Sequence, residues 1–284
     1  MRLSSVRDSA GFDFGVVIQS KLNQTSVLLE AEQHDLSLPE LTEWQDSTGW
    51  CEELRATAVI IHFGQETRSA QAVVSFSTDT TISKDEHSAL ASLAVQLPAI
   101  YAPAEQSWVW LPQDKEQLQR SAQRTWSAGT SELVFPPVAE SFSETPRTVS
   151  CNDKTFITFE MESPVNDDYT EINNLCTVLS TLRGEEEISF IRIARPTDPT
   201  YLDAHPDSPR TRTAYLVVIA AADRQEAEAC AMELIFALHP RTRLRLHRLL
   251  GRQRLGVLLA GGLPAYGWQH NTHIVTRTTQ THTS

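Results

Sequence analysis

The run RLHRLLGRQRLGVLLAGGLP, residues 245–264, interleaves arginines with glycines and contains no acid. Guanidinium forks and bare backbone amides are the groups that hold phosphate, so a polyanion clamp is the first chemistry to weigh. A Walker loop needs Gly-Lys-Ser/Thr after a strand, so that the amides wrap the phosphates and lysine reaches them; GRQRLG has no such order. The alternation of arginine with leucine over 242–249 has instead the period of a half-buried strand. That strand sets Leu244 and Leu246 on one face and Arg243, Arg245 and His247 on the other. Three uses for the basic face stand open: a solvated surface pairing with nearby acids, contact with a partner's acidic surface, or phosphate and nucleic acid. Exposed ion pairs contribute little, which favours the first. The second makes Arg243, Arg245 and Arg248 candidate partner-binding residues.

A second segment that could bind is the loop 195–212, RPTDPTYLDAHPDSPRTR. It is longer than a hairpin needs, and long loops often carry contacts, so Tyr201, Arg210 and Arg212 join the candidates. Its His-Pro-Asp triplet at 205–207 matches the signature of J-domain co-chaperones, but there it joins helices and here strands are predicted on both sides. Asp198, Asp203 and His205 are a weak metal set, and no metal or cofactor is expected. Catalytic motifs are missing as well: the chain has no Gly-x-Ser-x-Gly elbow, no His-Glu-x-x-His and no Asp-x-Asp pair. The carboxylates of NDDY (166–169) precede a helical stripe, where Asn166 or Asp167 serves as an N-cap. No enzymatic activity is expected.

Composition limits the partners. The 284 residues are 40% hydrophobic, enough for a sizeable core, and the formal net charge is −12. A far field of that sign repels nucleic acid and anionic lipid, so any polyanion contact must be local. The four cysteines have no paired spacing and read as buried free thiols of a reducing compartment. The amino terminus lacks the apolar core of a signal peptide, and the longest apolar run, AYLVVIAAA (214–222), is far short of a bilayer span. A soluble cytosolic chain is expected.

The elements that must position these residues come from periodicity and caps. Strands are predicted at 14–19, 26–32, 56–64, 71–77 and 107–112. Helices are predicted after Ser37, over 83–100 with Ser83 and Glu86 as a capping box, and over 114–129. A segment with three prolines separates these from strands at 155–161, 188–194, 214–222 and 242–249 and helices at 168–184, 224–239 and 253–260. Each half reads β-α-β-β-α-β-α, whose inner elements match the split β-α-β pattern. The expected fold class is α+β, two similar ferredoxin-like halves packed together. The boundaries are 1–131 for the first half, 132–154 for a linker, 155–264 for the second half and 265–284 for a polar flexible tail.

The closing segment RLLGRQRLGVLLAGGLPAYG resembles the EccE family, a component of the type VII (ESX) secretion membrane complex of actinobacteria. The matching positions are Leu249, Gly251, Gln253, Leu263 and Pro264 of a strand, Leu-x-Gly-x-Gln, small apolar helix and Leu-Pro-Leu-Gly pattern. SWVWLPQDKEQLQRSAQ and TFITFEMESP resemble further family segments. The usual pair of membrane-spanning helices is absent here, and Leu-Pro-Leu-Gly is replaced by Leu263-Pro264-Ala265-Tyr266-Gly267. What the resemblance implies is a non-enzymatic scaffold at the cytosolic face of the membrane. Its partners would be other subunits of the secretion complex, with no nucleic acid, and its membrane association would be indirect or through a missing anchor. The alternatives are a degenerate nucleotide-dependent transferase and a soluble adaptor unrelated to secretion.

Overall fold

The computed structural model describes residues 2–19, 24–32, 40, 43–45, 54–64, 68–77, 90, 93–95, 97, 110–126, 142–161, 170–182, 187–196 and 211–263. The strands are β1 Arg2–Arg7, β2 Asp13–Gln19, β3 Gln24–Ala31, β4 Leu54–Phe63, β5 Arg68–Ser77 and β6 Trp110–Pro112, then β7 Phe142–Glu144, β8 Val149–Cys151, β9 Lys154–Met161, β10 Glu187–Pro196, β11 Thr211–Ala221 and β12 Leu246–Arg248. The helices are α1 Lys115–Trp126, α2 Thr170–Thr181, α3 Arg224–Ala237, α4 Pro240–Arg245 and α5 Gln253–Ala260.

All 12 strands belong to one antiparallel sheet in the order β1-β2-β3-β5-β4-β10-β11-β9-β8-β7, with β6 also on β3 and β12 also on β9. This order is a palindrome of two six-strand sets. In the first, β2 and β6 share the outer edge of β3, β2 pairing at residues 24–27 and β6 at 29–31. In the second, β8 and β12 share the edge of β9 in the same way, at 154–156 and 159–161.

The sets meet at β4 and β10, in register from Thr57↔Ala194 to Phe63↔Ile188. This overturns the expectation of two ferredoxin-like halves packed together: the halves are joined edge to edge in one hydrogen-bonded sheet. The physical reason lies in β4 and β10 themselves. Each would be a long apolar edge strand in an isolated half, presenting unpaired amides and carbonyls, and pairing the two removes both edges.

Helices cover both faces. On one face Val59, Ile61, Phe190 and Val217 pack with Leu175 and Leu179 of α2, Ala231 and Leu234 of α3, and Trp44, Leu93 and Leu97. On the other, Leu28, Ile60, Ile191 and Val218 lie with Leu118, Ala122 and Trp126 of α1 and Val257 to Ala260 of α5. Central strands closed on both faces lose the polar-out alternation, which is why β4, β10 and β11 read as nearly continuous apolar runs. No helix among the described residues is long and apolar enough to cross a membrane.

Two further expectations are corrected. Residues 142–151, inside the segment taken as a linker, form the hairpin β7–β8 and extend the sheet from β9. The first half of the strand expected at 242–249, Thr242 to Arg245, is α4, and strand pairing is confined to Leu246, His247 and Arg248. Pro240 at the first helical turn and the His239 side chain, which accepts from the Arg241 amide, start a helix there. A local cap thus overrides the alternation. The predicted helix start at Ser83 and Glu86 lies outside the described residues.

Candidate functional site

The arginines that the sequence set on a solvated ribbon are taken up internally. Arg243 donates from Nη2 to the carbonyls of Phe236 and Leu238, 3.2 and 3.1 Å away, at the end of α3, and its guanidinium lies 6.0 Å from the centre of the Phe236 ring. A cation there complements the negative end of the helix dipole. Arg245 pairs with Glu171 of α2 at 3.1 Å. Arg248 makes a bidentate pair with Glu228 of α3 at 2.8 and 2.9 Å, and its Nε donates to the Arg147 carbonyl in the β7–β8 turn. That pair holds the Glu228 carboxyl below its ordinary pKa, chiefly through the hydrogen bond from Arg248. Tyr201 and Arg210 lie outside the described residues, and Arg212 stands at the start of β11 opposite Arg195. Among the described residues, Arg243, Arg245 and Arg248 each engage a different internal acceptor.

The Leu-x-Gly-x-Gln positions have a clear structural use. Leu249 donates its amide to the Thr158 carbonyl at 2.9 Å, Gly251 turns the chain at φ +69, and Gln253 enters the sheet. The Gln253 amide spans the gap on β9 between β8 and β12. Its Oε1 accepts from the Thr158 amide, while Nε2 donates to the carbonyls of Thr158 at 3.2 Å and Leu249 at 2.7 Å. A side chain here stands in for a missing strand residue.

The densest cluster of chemistry-bearing side chains lies under α1, on the opposite face of the sheet from α2 and α3. His62 Nδ1 is 2.9 Å from Ser189 Oγ across the β4–β10 join, its Nε2 is 3.2 Å from Gln71 Oε1, and Gln71 Nε2 donates to Ser121 Oγ of α1 at 2.7 Å. Gln71 Oε1 is an acceptor, so the proton of a neutral ring sits on Nε2 and Nδ1 accepts from Ser189. This hydroxyl–imidazole–amide chain has the polarity of a nucleophile–base–orienter set. Ser189, Gln71 and Ser121 are buried, however, and each hydrogen bond fastens one element to its neighbour: β10 to β4, β4 to β5, β5 to α1. Sequence reading found only the placement of His62 in a strand; its partners come from strand register and could not be read from spacing.

Burial is the main cause that depresses the His62 pKa. The unfolded chain therefore binds the proton first, and stability falls as pH drops below about 6.5, by at most about 1.4 kcal/mol per pH unit for this group. Urea unfolding at pH 7.5 and 5.0 should give a smaller acid loss in His62→Gln than in wild type; equal losses would assign the acid sensitivity elsewhere.

Beside this seam, Lys154 Nζ donates to the Arg124 and Thr125 carbonyls at the end of α1 and pairs with Glu187 at 2.9 Å. Cys151, Cys176 and Cys230 are not joined in disulfides; burial pushes the thiols of Cys151 and Cys176 up to about 11 and about 12. Those two are protonated, weak nucleophiles at neutral pH. Among the described residues no group of three metal-ligating side chains comes together.

Among the described residues several large apolar side chains are open to solvent. Met232 and Phe236, one turn apart on the outer face of α3, are 49% and 67% exposed, and Leu244, next to the Arg243 that stacks on Phe236, is 77% exposed. Glu226 and Glu233 of α3 are exposed on the same helix. Sequence reading passed over this patch, although Met232 and Phe236 at i and i+4 opposite the Ala227–Ala231–Leu234 stripe were a visible signal. No protein-family model matches this chain, and no curated protein matches it.

Proposed function

We propose that this chain is a non-enzymatic scaffold subunit that works by protein–protein contact. Following its resemblance to the EccE family, we place its work at the cytosolic face of a membrane, in a type VII-like secretion complex. The observation that carries the docking role is the exposed set Met232, Phe236 and Leu244. Large apolar side chains grouped on a rigid helical surface are the usual anchors of an interface. The exposed acids of α3 and the net charge of −12 define the complementary partner: an amphipathic segment with apolar anchors flanked by lysine or arginine. Arg243, Arg245 and Arg248 then act from beneath, fixing α3 and α4 against α2 and β12.

Phe236→Asp and Leu244→Asp change exposed positions, so both variants should unfold within about 2 °C of wild type. In pull-downs from an actinobacterial membrane extract, wild type should recover secretion-complex subunits and the double variant should lose them by about tenfold or more. Recovery of those subunits by both proteins would move the interface away from α3. Recovery of none by wild type would remove the secretion assignment and leave the adaptor reading.

A further inference from the structure

The two six-strand sets of the sheet match residue by residue. β6 meets β3 with Trp110 on Ala31 and Leu111 on Glu30; β12 meets β9 with Leu246 on Met161 and His247 on Glu160. The next residue makes the same bond in each set: the Gln113 amide donates to the Leu28 carbonyl at 3.0 Å, and the Leu249 amide to the Thr158 carbonyl at 2.9 Å. The ladders keep this correspondence inward. Val27 pairs with Val74 as Ile157 pairs with Ile219, and Gln71 pairs with Ile60 as Leu216 pairs with Ile191. Ile60 and Ile191 are therefore counterparts, and they face each other at the β4–β10 join. A pseudo-two-fold axis between these two residues, normal to the sheet, carries one set onto the other.

The axis relates helical residues as well. α3 follows β11, and the helical residues 90 and 93–95 follow β5, the counterpart of β11. Leu90, Leu93 and Leu97 pack on the core with the spacing of Ala231, Leu234 and Leu238. The Leu97 and Leu238 amides each donate to the carbonyl four residues back, both at 3.2 Å. This alignment sets Val95 in the place of Phe236, and Val95 is 75% exposed against 67% for Phe236. Both helical surfaces cover the same face of the sheet. We propose that the docking surface at Phe236 recurs at Val95, so that one chain holds two amphipathic, lysine- or arginine-flanked segments related by the internal axis. A surface repeated by symmetry takes the same partner twice, and the net charge of −12 favours a basic segment at both places. The inference rests on the docking role proposed for α3 and adds to it a second site and a stoichiometry.

The test is calorimetric titration of the full chain with an amphipathic helical peptide of leucine and lysine. Wild type should bind two peptides per chain, Phe236→Asp and Val95→Asp one each, and the double variant none. Both positions are exposed, so each variant should melt within about 2 °C of wild type, and a lost peptide is then not lost folding. Any titration in which Val95→Asp keeps the wild-type number overturns the second site; where Phe236→Asp still loses a peptide, docking on α3 stands. No binding to wild type, or binding that neither variant changes, overturns the docking role of α3 and the second site together.

Discussion

Gln253→Ala is expected to cost about 3–5 kcal/mol of folding free energy and to lower the melting temperature by roughly 10 °C. Gln253 is fully buried, and its amide serves both the N–H and the C=O of Thr158 as well as the Leu249 carbonyl. Alanine leaves the Thr158 amide without that acceptor in a closed site, where an unsatisfied group costs ~1–3 kcal/mol, and adds a cavity. Gln253→Glu tests the same geometry from the other side. It keeps the volume but replaces a donor with an oxygen facing two carbonyls, so it should destabilise at least as much as alanine. Urea denaturation of both variants decides the point. A loss under ~1 kcal/mol for alanine would mean that β9 closes its gap without this side chain.

This residue also marks how far the sequence could be read. Gln253 was found as part of a short motif, and the helix beginning there ends at Ala260 as predicted. The reason for a glutamine was invisible, since it depends on β8 and β12 stopping short of each other on β9. Elements with a strong period or cap were legible: β9, α2, β10, β11 and α3 fall within a few residues of their predicted ranges. The short strands β7 and β8 were not, because three residues carry no period and their stability comes from pairing with β9.

The larger error, taking one sheet for two packed halves, arose at β4 and β10. An apolar strand buried within a sheet and one at its edge have the same composition, so the join between Ile60 and Ile191 leaves no local mark. The partners of the basic residues were illegible for a related reason. Pairing of the arginines with nearby acids was the favoured reading, but which acceptors Arg243, Arg245 and Arg248 take could not be named, because the Phe236 and Leu238 carbonyls, Glu171 and Glu228 belong to other elements. Charge is visible in a sequence, but its neutralisation is a tertiary fact.

Gly261 and Gly262 look alike in sequence as a helix stop and differ in what they demand. Gly262 has φ +78, a conformation that glycine adopts without strain, whereas Gly261 has an ordinary φ of −81 and is required by space. A Cβ at Gly261 would fall well inside contact distance of Cε2 and Cζ2 of Trp126 and 2.5 Å from its Nε1. The indole cannot yield easily. It is fully buried, donates from Nε1 to the Val257 carbonyl at 2.8 Å, and meets the Phe142 ring edge-on at 6.1 Å. Alanine at 261 should therefore destabilise by about 3 kcal/mol, although alanine at an unstrained φ would otherwise be favourable. Trp126→Leu removes the obstructing atoms at its own cavity cost, and the two changes share one volume. Their double variant should be more stable than the sum of the singles by about 2 kcal/mol, a coupling that a double-mutant cycle in urea measures directly. Strict additivity would show that α5 shifts as a body to admit the methyl group, and that its seat on α1 is softer than the Trp126–Val257 bond implies.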